Sequence, residues 1–441
     1  MLVEFSVENF LSFKDSTTFS MVAAKSFREH SKTNLINTDF NMKLLKSAII
    51  YGNNASGKSN LFASMSFMKA TVLNSFRDAL MDNFERKFPL EKFELNSKTI
   101  NEPSYFEITF IHKEVKYRYG FEIDFDAIKS EWLFHTTTRE VNLFKRENQE
   151  IKINKTSFKE GIGKENDVKD NVLFVSLLAT LGKEISSDIV DWFKAFNLIN
   201  GIHDRGHKRY TIDKLKTDNN FFNWVKTFVK YLDISNISTT EEDVNEIDLE
   251  ILKNKEKDEE LINLFSSIQK IQSKQPKRDQ LLTYHKRYDE NNLFLDTVAF
   301  NFDEQESEGT KKLIYLLGPW YDTLKTGKIL VIDEIDSRLH SHLTSKLISF
   351  FHEFNRNNAQ LICVAHDISL LNKNVFRRDQ IWFIEKNQFE SSELYSLSDF
   401  KTDKVRGLSA FDKNYLDGKF GAIPYFENDE KLKNIIYEQT E

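Results

Sequence analysis

The sequence predicts an α/β fold in which one chain contains a mixed or parallel β sheet, an antiparallel β lobe and a helical insertion. The first observation is an apolar run at 46–51 that ends abruptly at Gly52 and is followed by apolar residues at helical spacing. The second is the alternation of apolar and polar residues at 105–125, which is typical of two paired strands. The third is a pair of short apolar runs, at 328–336 and 361–366, of the kind found in buried parallel strands.

The 441 residues are enough for two or three domains, and their pattern divides them into three segments. Residues 1–144 open with a strand pattern at 2–7 and form a β-rich lobe that contains the glycine-rich loop. Residues 145–285 are predicted to be a mainly helical insertion, with apolar residues at helical spacing in VLFVSLLATL, IVDWFKAFNLI and FFNWVKTFVKYL. Residues 286–441 return to buried strands, the first of them at 293–300.

The composition excludes several classes of protein. With 40% hydrophobic and 29% charged residues, 14 Gly and 5 Pro, the chain is neither collagenous nor largely disordered. A net charge of -7 gives no strong overall attraction to nucleic acid, so any such contact would be a local patch. The basic stretch 270–287 and the loop from Arg205 to Arg209 are the candidates for such a patch. The alternative for 270–287, and for the acidic stretch 241–260, is an ordinary solvated face.

A single cysteine, Cys363, excludes a disulfide framework and a thiol-rich metal site, and it fits a reducing cytosol. The first residues lack the basic start and apolar core of a secretory signal. No apolar stretch approaches the ~20 residues needed to cross a bilayer. We therefore expect a cytoplasmic protein without a membrane partner.

The glycine-rich loop matches the pattern G-x-x-x-x-G-K-[ST] between a strand and a helix. Small residues let consecutive backbone N–H groups surround phosphates, and the helix that begins there adds the positive end of its dipole. Lys58 would reach the outer phosphates, and the Ser59 hydroxyl would ligate Mg²⁺. The predicted phosphate-binding residues are Gly52, Asn53, Asn54, Ala55, Ser56, Gly57, Lys58 and Ser59.

Two acidic residues, Asp333 and Glu334, end the apolar run 329–332. Ligands of open α/β sheets bind at the carboxyl ends of such strands. Asp333 would hold Mg²⁺, and Glu334 would act as the general base that orients and deprotonates the attacking water. The alternative is a strand that ends in an ordinary polar turn.

Histidines and a signature-like segment complete the set of candidates. Ser307 and Gly309 lie at an acidic-to-helical junction and could present donors to a phosphate; taken alone, a simple N-cap explains them better, and the order of the other motifs favours the phosphate role. His366 ends the strand after the acidic pair and could donate a hydrogen bond to a γ-phosphate oxygen, or it could be a packed or capping residue. His340 and His342 are two residues apart, which does not place them on one helix face, so we expect a structural role and no metal site.

Taken in order, these motifs resemble the ATPase head of the ABC superfamily, in its SMC-like and OLD-like branch. The segments that carry the resemblance are ENFLSFKD, GNNASGKS, ESEGTKK, ILVIDEID, the loop from Asp336 to His340, and CVAHD. More narrowly, EWLF, DEIDSRLHSHL, RRDQIWFIEK, SLSDF and YLDGKFGAIP resemble the AAA-type ATPases of abortive-infection and related antiphage operons, such as those called RloA and AbiL. The resemblance thins out over 145–285.

The resemblance implies an ABC-type ATPase head that uses ATP and Mg²⁺ and pairs with a second copy. Ser307 and Gly309 of one copy would close over the γ-phosphate bound by the other copy. The residues that would hold this phosphate are Lys58, Ser59, Asp333, Glu334 and His366. Asp336 would lie in the loop that connects the two sites. The chain departs from the family pattern at Ser341, where Pro is usual, and it offers no clear Mg²⁺-contacting Gln.

Relatives in such operons act with a companion effector, often a Toprim-type nuclease, so the resemblance also implies a slow sensor ATPase with such a partner. The insertion is too short and too broken for the long coiled coil of chromosome-organising relatives. Two alternatives remain at this stage. One is a DNA-repair or DNA-end-binding ATPase, and the other is the nucleotide-binding subunit of a transporter, which the large insertion disfavours.

Overall fold

Two units make up the chain, residues 1–202 with 323–441 and residues 203–322. The computed structural model describes residues 1–79, 88–201, 205–242, 278–400 and 411–421. The basic stretch at 270–277, most of the acidic stretch 241–260 and the last part of YLDGKFGAIP therefore lie outside the described residues.

The described strands, in chain order, are β1 (Leu2–Glu8), β2 (Thr17–Ser20), β3 (Leu35–Asn37), β4 (Lys43–Leu45), β5 (Ser47–Gly52), β6 (Ser104–His112), β7 (Val115–Ile123), β8 (Ile128–Thr136), β9 (Glu140–Glu147), β10 (Glu150–Ile153), β11 (Phe196–Asn200), β12 (Asn236–Glu242), β13 (Arg278–Tyr288), β14 (Phe294–Asn301), β15 (Ile329–Asp333), β16 (Gln360–Val364), β17 (Ile381–Lys386) and β18 (Ser392–Ser396). The described α helices are α1 (Lys58–Ala79), α2 (Phe174–Thr180), α3 (Glu184–Ala195), α4 (Arg205–Thr217), α5 (Asn219–Phe228), α6 (Phe302–Gln305), α7 (Glu308–Thr326), α8 (Ser341–Phe354) and α9 (Phe411–Leu416). None of the helices in this part of the chain is long and apolar enough to cross a membrane.

The larger unit contains the predicted antiparallel lobe. Its seven strands follow the order β10-β9-β8-β7-β6-β1-β2. Alternate residues of β6 point into an aromatic core, where Phe106 and Phe110 are fully buried. One face of an antiparallel sheet packs against the core while the other faces water, which explains the alternation of apolar and polar residues in the sequence.

The second sheet of the larger unit has the order β11-β15-β16-β5-β17-β18. All its pairings are parallel except the last, between β17 and β18. Every residue of β15 and β16 is buried, as expected for central strands covered on both faces. The predicted α/β fold class, with a mainly parallel sheet and an antiparallel β lobe, is confirmed.

Helix α2 connects the antiparallel lobe to α1. Glu131 of β8 is completely buried and accepts hydrogen bonds from the backbone N–H groups of Phe174 (2.7 Å) and Val175 (3.1 Å) at the start of α2. Arg146 of β9, also buried, lies 3.7 Å from this carboxylate. The Ser176 hydroxyl of α2 then donates to the carbonyl of Val72 in α1, at 2.7 Å. The buried carboxylate of Glu131 therefore holds the start of α2, and α2 in turn contacts α1.

The smaller unit combines α4, α5, α6 and most of α7 with a three-stranded antiparallel sheet, β12-β13-β14. Its aromatic core includes Phe221, whose ring centroid lies 5.1 Å from that of Tyr321. Thr211 of α4 donates its hydroxyl to the carbonyl of Tyr315 in α7, at 2.5 Å.

Several elements differ from the sequence-based expectation. The boundary predicted after residue 144 falls inside β9, and the boundary predicted after 285 falls inside β13, so neither coincides with a change of unit. The residues FNLI were taken as helical, yet Phe196–Asn200 pairs with β15 as the edge of the parallel sheet. A short apolar run has no periodicity that separates the two states. Residues 293–300 were expected to be buried, but Leu293 is 64% exposed and Phe294 58%.

Candidate nucleotide phosphate site

Three parallel strands bring the predicted site residues of the larger unit to one edge of the sheet. Strand β16 lies between β15 and β5, with Ile332 opposite Cys363 and Cys363 opposite Ile49. Parallel strands end on the same side, so the glycine-rich loop after β5, the acidic pair after β15 and His366 after β16 share this edge. The order of the motifs in the sequence did not predict that β16, the strand that precedes His366, lies between β15 and β5.

The loop from Gly52 to Ser59 depends on both of its glycines. A Cβ atom on Gly52 would lie 2.2 Å from the carbonyl oxygen of Ile384. Gly57 has φ +107°, and a Cβ atom there would lie 2.2 Å from the Ser392 hydroxyl. Helix α1 begins at the next residue, so its N-terminus faces the loop.

A clasp of three polar side chains closes around Gly57, and sequence analysis missed it. The Ser392 hydroxyl donates its single proton to the carbonyl of Ser56 (2.6 Å), and it lies 2.7 Å from the Ser12 hydroxyl, from which it can accept. Asn60 of α1 donates to the same Ser12 hydroxyl, also at 2.7 Å. Ser12 belongs to the ENFLSFKD segment, but Ser392 is 380 residues away and carries no motif that could have identified it.

Lys58 is buried and already makes hydrogen bonds inside the loop. Its ammonium group donates to the carbonyls of Gly52 and Asn53, each at 2.7 Å. Burial lowers the pKa of Lys58 to about 8, while the carboxylates of Asp333, Asp336 and Glu334 act in the opposite direction. The side chain is therefore positioned over the loop and still mainly charged at neutral pH.

Asp333 has the features expected of a Mg²⁺ ligand. The residue is 3% exposed, and its Oδ1 atom has no hydrogen-bond partner among the described residues. Burial raises the pKa of this carboxyl, a hydrogen bond from Ser59 lowers it, and the neighbouring charge of Glu334 raises it again. A buried carboxylate oxygen beside a hydroxyl fits a hard divalent cation, which prefers oxygen ligands.

Glu334 follows in a constrained turn. Its φ is +53°, in the left-handed region that non-glycine residues rarely occupy. Gly201, at the end of β11, donates its backbone N–H to the carbonyl of Asp333 at 2.7 Å. A Cβ atom on Gly201 would lie 2.5 Å from the carbonyl oxygen of Glu334. Gly201 is a second residue that sequence analysis missed, because the strand before it was taken as helix.

Asp336 connects the acidic turn to the histidine strand. Its Oδ2 atom accepts the backbone N–H groups of His366 (2.7 Å) and Asp367 (2.5 Å). The His366 side chain is exposed, and its charge is close enough to lower the pKa of Asp333. Asp336 therefore fixes the backbone from which His366 projects.

Ser307 and Gly309 belong to the smaller unit, where the Ser307 hydroxyl accepts the backbone N–H of Thr310 at 3.1 Å near the start of α7. His340 caps α8, because its Nδ1 atom accepts the backbone N–H of His342 at 3.2 Å. In the part of the chain that the structure describes, no group of three or more His, Cys, Asp or Glu side chains could hold a metal ion.

The Mg²⁺-contacting Gln stays unassigned. Gln360 begins β16 and bonds to both backbone groups of Leu2. Gln380 precedes β17 and donates to the carbonyl of Ser47 at 2.9 Å. Both therefore lie at the amino ends of their strands, opposite the glycine-rich loop.

Residues 47–372 match the family described as "AAA domain, putative AbiEii toxin, Type IV TA system". A comparison with curated proteins finds no match. Among solved structures, the chain is similar to the SMC head domain from Thermotoga maritima, with 12% identity over 90% of this chain and 98% of that one and a TM-score of 0.39. It is also similar to an SMC head bound to the C-winged helix domain of ScpA, with 13% identity over 92% and 99% and a TM-score of 0.45.

Substitution of Gly57 by Ala tests the clasp. We expect Gly57→Ala to weaken ATP binding by at least about tenfold, because the added methyl group would displace the Ser392 and Ser12 hydroxyls and strain a backbone at positive φ. Isothermal titration calorimetry measures the affinity. Gly163→Ala is the matched control, since Gly163 also has positive φ (+76°) but nothing lies within 4 Å of the added atom. Equal affinities for the two variants would contradict the role assigned to the clasp.

The lowered pKa of Lys58 predicts a pH dependence. The ammonium form binds phosphate and is lost as the pH rises through about 8, so affinity falls on the alkaline side. Between pH 7 and pH 9 the charged fraction of the free protein drops from about nine tenths to about one tenth, which weakens ATP binding by up to about tenfold. Titrations of the wild type across this range check the slope. Lys58→Ala should lack it, and an identical slope in that variant would assign the proton to another group.

Proposed function

The chain belongs to the family of AAA domains described as putative AbiEii toxin, Type IV TA system, and from that premise we propose that it binds and hydrolyses ATP between two paired copies. In this role it is the sensor ATPase of an antiphage abortive-infection system and acts with a companion effector. The observation that carries the proposal is the shared sheet edge. There the glycine-rich loop, a buried Asp333 oxygen with no hydrogen-bond partner among the described residues, and a second carboxylate lie together.

Phosphate binding follows from groups that are already in position. Lys58 holds the two carbonyls of its own loop, so an arriving phosphate needs only to exchange these acceptors for its own oxygens. The backbone N–H groups at the start of α1 add donors that point the same way. Ser59 and Asp333 would hold Mg²⁺, which supplies Lewis-acid stabilisation of phosphate charge when bound.

Hydrolysis needs a base and a donor for the developing charge. Glu334 is partly exposed in a fixed turn, so its carboxylate can orient a water molecule and accept its proton. His366 is exposed at the adjacent strand end and can donate to a phosphate oxygen. Asp336 binds the backbone N–H of His366, so movement of the acidic turn and movement of this histidine are coupled.

Pairing of two copies is proposed because the resemblance assigns Ser307 and Gly309 of one copy to the γ-phosphate bound by the other. Ser307 precedes α7 and Gly309 is the second residue of that helix, and the first backbone N–H groups of a helix have no acceptor within it. A second copy would present these donors to the γ-phosphate, so that ATP joins the copies and its cleavage releases them. The companion effector, of which a Toprim-type nuclease is the leading candidate, would respond to that change.

The alternative of DNA-end binding has less support from the described residues. Of the cations proposed to grip DNA, Arg287 makes a bidentate ion pair with Asp296, and Lys208 pairs with Asp303 at 2.7 Å. Arg209 lies 4.0 Å from Asp213. Neutralised cations attract a phosphate backbone weakly, since salt-dependent DNA binding depends on free positive charge.

Replacement of Glu334 by Gln tests the proposed chemistry. We expect Glu334→Gln to bind ATP with wild-type affinity but to hydrolyse it about 10²–10⁴-fold more slowly, because the amide cannot accept the proton. With cleavage blocked, the paired state should accumulate in ATP and appear as a doubled mass in light scattering. Glu353→Gln on the exposed face of α8 is the matched control and should behave like the wild type. Wild-type turnover in Glu334→Gln would exclude this residue as the base.

A further inference from the structure

A cavity of about 470 Å³ lies in the larger unit, away from the glycine-rich loop. The segment 23–43, which connects β2 to β5, forms its walls. Three cationic side chains line it, Lys25, Arg28 and Lys43. Phe27, Leu35 and Met42 provide apolar surface beside them.

The backbone of this segment is fixed by a buried ion pair. The Arg377 guanidinium is fully buried and donates to the carbonyls of Phe27 (3.2 Å), Glu29 (2.8 Å) and Ala24 (3.3 Å). Asp379, paired with Arg377 at 2.8 Å, accepts the backbone N–H of Ala24. The buried ion pair therefore fixes the backbone of the cavity wall. Less conformational entropy is then lost when a ligand binds.

The charge of the cavity is unbalanced. None of its twelve lining residues is Asp or Glu. Within the described residues, no ion pair joins Lys25, Arg28 or Lys43 to a carboxylate, and all three are exposed to solvent. The segment contains two acids outside the lining, Glu29, which lies 3.3 Å from Arg378, and Asp39. In a chain with a net charge of -7, three cations that line one cavity and have no ion-pair partner among the described residues favour the binding of an anion there.

We infer that this cavity binds a phosphorylated ligand of nucleotide size. Lys25, Arg28 and Lys43 would take the phosphate groups, and Phe27 with its apolar neighbours would pack against the base or another flat group. The volume lies within the range of small-molecule sites, roughly 300–1,000 Å³. A nucleic-acid chain would share the phosphate chemistry, but it follows an extended charged groove, whereas these three cations line a single recess.

The cavity is a separate site from the glycine-rich loop. Lys43 begins β4, which leads into the amino end of β5, whereas the loop follows the carboxyl end of β5. The six residues of β5 span about 20 Å at ~3.3 Å per residue. The inference therefore goes beyond the proposed ATPase, and the two can fail independently.

The test measures pyrophosphate and the four common ribonucleoside diphosphates by calorimetry on the full chain carrying Lys58→Ala, which removes the loop lysine. One pyrophosphate should bind per chain, and at least one nucleoside diphosphate should bind about tenfold more tightly, because the apolar recess adds contacts. Adding Lys25→Ala, Arg28→Ala and Lys43→Ala should abolish both. Adding instead Lys152→Ala, Lys155→Ala and Lys159→Ala, which removes the same charge from exposed positions outside the cavity, should change neither.

Three outcomes would overturn the inference. The first is the absence of pyrophosphate binding in the Lys58→Ala chain, and the second is binding that survives loss of the three cavity cations. The third is binding of a 20-nucleotide single strand that needs these cations and that pyrophosphate does not displace, which would make the cavity part of a nucleic-acid surface. ATP binding is measured alongside on a chain that carries Lys25→Ala, Arg28→Ala and Lys43→Ala with Lys58 intact, and this measurement reports on the glycine-rich loop.

Discussion

The parallel hydrogen bonding of β15, β16 and β5 is the constraint on which the candidate site depends. Parallel strands all end on the same side, so a single sheet edge receives the residues that follow three separate segments of the chain. Strong apolar burial fixes the register, because a slip of one residue would reverse every side chain. Lys58, Asp333 and His366 thus owe their proximity to buried residues that take no part in chemistry.

Closure of the glycine-rich loop adds a second, long-range constraint. Ser12 comes from the start of the chain and Ser392 from near its end, and both contact the backbone around Gly57. The loop is therefore completed only when the two ends of the larger unit have packed together. The cavity at 23–43 also depends on contacts between distant parts of the sequence, because Arg377 and Asp379 bind the backbone of its wall.

Local patterns predicted much of this arrangement, and non-local contacts account for what they missed. The glycine-rich loop and the acidic strand end were recognisable because their residue types occur at fixed spacing beside apolar runs. The contacts of Ser392 with the glycine-rich loop and of Gly201 with the acidic turn could not be recognised from the sequence, because each depends on the order of the strands in the sheet. The helical assignment of FNLI failed because a four-residue segment with three apolar residues fits either a helix or a strand. The charged stretch at 270–287 suggested a nucleic-acid patch, yet its Arg287 is paired with an acid across the hairpin.

The central claim is that ATP is bound between two copies, each contributing a different part of the site, and mixing two inactive variants tests it most directly. Lys58→Ala removes the phosphate-binding lysine, and Ser307→Arg blocks the segment proposed to come from the second copy. Each variant alone should be inactive, whereas an equimolar mixture should regain about a quarter of the wild-type ATPase rate, because half of randomly formed pairs contain one intact site of two. If native mass measurements show that mixed pairs form and the mixture still hydrolyses no ATP, the shared site does not exist.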